Sequence, residues 1–268
     1  MVPLGVRIYG LGAVALGLVG IAWGDFALQW QPVAASFPGR TPLAYLFATL
    51  LLLAGLLVAG AAVKWRPNSA FFGAQALLVL YAVAVVLMHG PQIIQHPSAF
   101  PVWNGVAEQL TLVTGGLAAY ALLATISGAR RAQLVQVATL TLGVCLLTFG
   151  TAHFLYLDFT ASMVPAWLPG GQKFWAAFTG VAHIAAGIAL LSGFQARLAA
   201  ILLTAMFATF SALVHLPLLL ADTHSHVNWV MNAVNLALTG AAWTVAGALP
   251  QTNTHPGKTT EAGVVQAP

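Results

Sequence analysis

Eight stretches of this chain, at about 6–24, 43–63, 71–89, 104–127, 133–156, 174–192, 196–216 and 227–248, are apolar and bilayer-length. Crossing a bilayer as a helix takes about 20 consecutive apolar residues. A soluble fold would have to hide all eight behind a polar shell, and the residues for that shell are missing. Five acids and nine bases among 268 residues leave 5% charged, against about 25% in an ordinary soluble domain. Hydrophobic residues make up 60% and the mean hydropathy is +0.89. Lipid is therefore the expected solvent for most of the surface, and a backbone in lipid must satisfy its own hydrogen bonds. The expected fold is all-α: a polytopic membrane protein of eight transmembrane helices, with the bilayer as its main partner.

The pI near 9.6 does not point to nucleic acid. The bases stand singly or in pairs between apolar runs, with no basic patch to track a phosphate backbone. The single cysteine, Cys145, lies inside an apolar run and excludes an internal disulfide, a CxxC redox centre and a multi-cysteine metal site. The start, MVPLGVRIYG, resembles a signal peptide, but no small-residue cleavage site follows at the usual distance. It reads as a retained first helix.

The loops alternate in character. Seven bases (Arg7, Lys64, Arg66, Arg130, Arg131, Arg197 and Lys258) fall on one side of the eight spans, and Arg40 and Lys173 on the other. Positive residues collect in cytoplasmic loops, so both termini are expected in the cytoplasm and the longer loops, rich in Pro, Trp and His, outside. In a bacterial cell this is an inner-membrane topology. The polar segment 250–268 lacks periodicity and is expected to be a disordered cytoplasmic tail.

The chain also repeats itself. His89-Gly-Pro91 and His215-Leu-Pro217 are offset by 126 residues, as are Trp103 and Trp229. Gly20-Ile-Ala22 and Gly150-Thr-Ala152 are offset by 130, and Phe37-Pro-Gly39 and Leu168-Pro-Gly170 by 131. Landmarks of Pro, His and Trp in the same order predict two tandem four-helix units, 1–128 and 129–249, lying parallel in the membrane.

Polar groups at membrane depth are costly unless paired or facing a cavity, which makes them informative. Asn228, Asn232, Asn235 and Thr239 share one helix face, and Asn104, Glu108 and Thr111 share another. Glu108 is the only carboxylate within a span, and His89 is its expected partner. The simplest role of such stripes is bonding between helices, worth about 0.6–2 kcal/mol each. His153, His183, His215 and His89 all fall between mid-membrane and the external surface. Imidazole can hydrogen-bond a carrier, shuttle protons or ligate a metal, and it can also merely cap or bridge helices. His183, mid-span among Ala, Gly and Ile, has few local partners. The halves differ, since His153 aligns with Trp23 and His183 falls near Leu52. The expected ligand site comprises His153, His183, His215, Asn232 and Asn235, under an external cap at 158–170 that carries Trp167. A first-repeat polar site comprises His89, Glu108 and Asn104. Asp222-Thr-His-Ser-His226 has metal-ligand residue types but reads as a solvated loop, and no metal is expected.

Gly150-Thr-Ala-His153, Val164-Pro-Ala-Trp-Leu-Pro169, Phe174 to Gly187, and Val214-His-Leu-Pro217 followed by Asn228-Trp229 together resemble the DoxX-like membrane proteins. The likeness covers about residues 138–248, and the first half more weakly through His89-Gly-Pro91 and Trp103 to Glu108. It implies a four-helix membrane unit. Some relatives form the membrane part of a thiosulfate:quinone oxidoreductase, and others are linked to oxidative stress. The chain departs from the family in carrying His183 where many relatives have a carboxylate. The expected function is the membrane component of a redox system, holding a quinone, or less suitably a haem, near the outer leaflet. No flavin or dinucleotide fingerprint is present, so a redox partner subunit would be needed. A small-solute transporter or pore and a non-catalytic scaffold or assembly factor are the alternatives.

Overall fold

The computed structural model describes residues 2–60, 66 and 68–250, and the expectations on Lys64 and the 250–268 tail lie largely outside them. The described residues are helical, with no strand among them. Eight long helices follow one another: α1 Leu4–Trp23, α2 Arg40–Ala59, α3 Ser69–Gln95, α4 Phe100–Leu123, α5 Gly128–Leu155, α6 Gln172–Ser192, α7 Ala196–Ala221 and α8 His226–Ala248. Their ends carry ordinary stop and start chemistry. Gly24, Gly60 and Gly193 close α1, α2 and α6 in the left-handed region, at φ of 61°, 91° and 75°. Ser127 and Ser225 cap α5 and α8, accepting from the backbone N–H of Arg130 and Asn228 at 3.3 Å each.

Seven of the eight are long and apolar enough to cross a membrane, the build of a polytopic membrane protein. The exception is α8, and its position explains why. It packs against α1, α4 and α7 and buries thirteen residues. Protein covers most of it, leaving Val227, Trp229 and Trp243 exposed, so its covered faces tolerate Asn, Thr and Gly. Outward faces of the other helices are apolar, as Leu18, Leu53, Phe72, Val86 and Leu202 show.

Each long helix packs on the next in sequence. Between the halves, α1 meets α8, α4 meets α5, and α4 meets α8. The α1–α8 contact is backbone on backbone: a Cβ at Gly12 would overlap Ala237, and one at Gly240 would overlap Tyr9. Small residues let membrane helices approach this closely.

The helices α3 and α7 run past the prolines at which the spans were expected to end. Pro91 and Pro217 have no N–H to give the carbonyl four residues back. The ladder widens instead of stopping, with π-type turns at Val85–His89 and Ser211–His215. There the Gly90 and Leu216 N–H groups bond five residues back, to the Val85 and Ser211 carbonyls. The segment expected as a bare external cap contains a short helix, Leu157–Met163, before its Pro-rich stretch. The α1–α2 connection holds a single 3₁₀ turn at Leu28–Trp30.

Candidate functional site

The second half is hollow. A cavity of about 800 Å³ lies among α5, α6, α7 and α8, and its remaining wall comes from α4 and the Leu28–Trp30 turn. Helical spacing assembles the lining. From α5 come Phe149 and His153, from α6 Thr179 and His183, and from α4 Asn104 and Glu108, each pair one turn apart. Phe207 and Phe210 from α7 and Val227, Met231, Val234 and Leu238 from α8 add the apolar surface. Phe159, Met163, Val164 and Leu168 close the end under the short helix.

His153 and His183 form the polar centre, their ring centroids 5.0 Å apart. Phe149, Phe207 and Phe210 surround His183, with centroids at 5.9, 5.8 and 6.1 Å. His153 Nδ1 lies 2.9 Å from the Ala176 carbonyl, and His183 Nδ1 lies 2.8 Å from the Thr179 carbonyl. A carbonyl oxygen only accepts, so each Nδ1 carries the proton and donates. The Thr179 hydroxyl donates to the Trp175 carbonyl at 2.9 Å and braces His153 Nδ1 at 3.2 Å. Neither Nε2 has a partner among the described residues. On α8, Asn235 spends its amide on the Phe207 carbonyl at 2.8 Å and Ser211 Oγ at 2.6 Å. His215 also lines the cavity, and its Nδ1 is buried without a partner.

The first half contributes one wall. Asn104 Nδ2 donates to Glu108 Oε1 at 3.1 Å. The Trp30 indole approaches the same carboxyl without closing a well-aligned hydrogen bond, which leaves its Nε1 buried and unpartnered.

The structure thus brings His153, His183, His215 and Asn235 together, and adds Asn104 and Glu108 to the same cavity. It does not bring in the other expected residues. His89 is buried behind the cavity wall, with Nε2 3.2 Å from the Trp30 carbonyl, so Asn104 rather than His89 partners Glu108. Asn232 faces away from the cavity and donates to the His215 and Asn228 carbonyls at 2.7 and 2.9 Å. Trp167 is 71% exposed and outside the lining. Asp222 accepts from the His224 backbone N–H at 3.0 Å, and the His226 ring stacks on Trp23 at 4.8 Å, so that segment is engaged as a turn and a stack. Among the described residues no three His, Cys, Asp or Glu side chains form a metal-binding group. Sequence reasoning missed Thr179 and Trp30. Thr179 stands one turn before His183, a spacing that places a hydroxyl and a carbonyl beside the ring. Nothing local in the sequence marks Trp30.

One family matches. Residues 142–247 are similar to a domain of unknown function (DUF8561). That segment contains His153, His183, His215 and Asn235 but stops short of Asn104 and Glu108. No curated protein and no solved structure matches the chain.

Proposed function

We propose that this is an eight-span DoxX-like protein of the inner membrane, built from two tandem four-helix units with both termini cytoplasmic. It holds a lipophilic carrier of the quinone class as the membrane component of a redox system. The observation that carries the reading is the single cavity that gathers three histidines and Asn235 inside apolar and aromatic walls. Sites for small lipophilic molecules are concave, mostly apolar and about 300–1,000 Å³ in size, with a few convergent polar groups. Haem fits less well. His153, His183 or His215 would offer an iron a nitrogen ligand, but the lining has no Lys or Arg to pair with the haem propionates. The chain's part is to bind and orient the carrier; a partner subunit would supply or accept the electrons.

Several features favour the tandem reading. The two π-type turns are 126 residues apart, and so are the bonds from Trp103 Nε1 to the Pro97 carbonyl and from Trp229 Nε1 to the Thr223 carbonyl. The ion pairs Asp25–Arg40 and Asp158–Lys173 are offset by 133 residues at both members. Exchanging α1–α4 with α5–α8 maps the helix contacts onto themselves, with α4 and α8 at the centre. Eight spans require α8 to cross as well, which its 23 residues allow at about 1.5 Å rise each.

The test is native purification followed by mass spectrometry of the bound lipids, with His183→Leu beside the wild type. A bound quinone or quinol, lost in the variant while the thermal unfolding profile stays cooperative, is the expected result. A variant that loses only stability would leave the histidines as structure and favour a scaffold. The π-type turns within α3 and α7, a feature frequent at functional sites, favour a small-solute transporter as the second reading, and solute-dependent thermal stabilisation would select it.

A further inference from the structure

We infer that the His153–His183 end of the cavity is built to receive hydrogen-bond donors, so that the reduced, hydroxyl-bearing form of the carrier, a quinol, is the form it holds. This rests on the proposed carrier site and assigns its chemistry.

The inference follows from counting what each polar group has left to offer. His153 and His183 spend their Nδ1 protons on the Ala176 and Thr179 carbonyls. Phe149, Phe207 and Phe210 cage the pair and offer no counter-charge. With the rings neutral, each Nε2 keeps a lone pair and can only accept. His183 is 2% exposed and belongs to the cavity wall, so its unsatisfied acceptor has only the cavity to draw on. Asn235, 5% exposed, gives its amide protons to Phe207 and Ser211, which leaves Oδ1 as its free polar atom. The hydroxyls of Thr179 and Thr209 donate to the Trp175 and Ala205 carbonyls. Trp175 Nε1 donates to the Pro169 carbonyl at 2.7 Å. Tyr156 and Thr160 carry the remaining free hydroxyls, at the start of and within the short helix at the more exposed end. Elsewhere in the lining Trp30 Nε1 and the His215 imidazole keep unspent donors; around the His153–His183 pair the unspent atoms are acceptors.

A quinone carbonyl brings only lone pairs to such a surface, and acceptor facing acceptor leaves both unsatisfied in an apolar place. A quinol hydroxyl brings the missing proton. A site built to pair with a hydroxyl discriminates strongly against an analogue lacking it.

The experiment uses the full chain in detergent under anaerobic conditions, with tryptophan fluorescence reporting binding of three probes: duroquinol, duroquinone and duroquinol dimethyl ether. Duroquinol should bind at least about tenfold more tightly than the other two, the size of one misplaced hydrogen bond. His183→Gln, whose amide can turn an N–H into the cavity, should narrow the gap between duroquinol and duroquinone. Duroquinone binding as tightly as duroquinol would overturn the inference and leave the carrier site standing. No measurable binding of any probe would overturn both.

Discussion

Glu108 shows how one side chain fixes another in a place with little water. Its carboxyl accepts from Asn104, which stands one turn before it on α4. The Asn104 Oδ1 is itself buried without a partner, so the amide depends on Glu108 for the bond it makes. Glu108→Gln retains an acceptor at the same reach and should keep the thermal midpoint close to that of the wild type. Glu108→Leu strands the amide and should cost about 1–3 kcal/mol, read as a lower midpoint in detergent. Equal midpoints for the two variants would show that the pair contributes nothing. His89, the partner expected from the sequence, shares only its depth with Glu108. Depth along a helix is readable from spacing, but the side of the bundle that a helix presents depends on its neighbours, and these come from distant parts of the chain. His153 and His183 share a depth and also line one cavity, while Asn232, three residues from Asn235, faces another way, and depth alone does not give that difference.

At the scale of helices, hydrophobic length located all eight elements, and two kinds of boundary escaped it. The prolines at 91 and 217 looked like terminators, yet α3 and α7 continue to Gln95 and Ala221 because a wide turn absorbs the missing N–H. The small helix Leu157–Met163 is too short to leave a periodic signal. The α1–α8 seam is the most demanding contact, since a side chain at Gly240 meets the Tyr9 backbone. Gly240→Leu should therefore destabilise the fold by at least about 1–3 kcal/mol, the usual range for overpacking. Gly247→Ala, on the same helix with open space around it, should leave stability unchanged. Differential scanning fluorimetry of the two variants checks this, and a midpoint for Gly240→Leu within error of wild type would mean that the seam is looser than described.

For the whole molecule, topology is the decisive expectation. Reporter fusions placed after Pro250 and within 158–170 should report opposite sides of the membrane, the former cytoplasmic. Both on one side would remove either the eighth span or the assigned orientation. The ion pairs add something that a tally of bases misses. Arg40 and Lys173, the two bases on the Pro- and Trp-rich face, each sit against an acid, at 2.6 and 2.7 Å. Among the described residues, Arg7, Arg66, Arg130, Arg131 and Arg197 have no acidic partner. On the proposed topology the bases of one face would be neutralised and those of the other left unpaired, which would give the protein a dipole along the membrane normal. Anionic headgroups are drawn to such a face at about 1 kcal/mol per base near the surface. With that topology the leaflet around the cationic face would be enriched in acidic lipid, and lipids co-purified with the protein should show that enrichment.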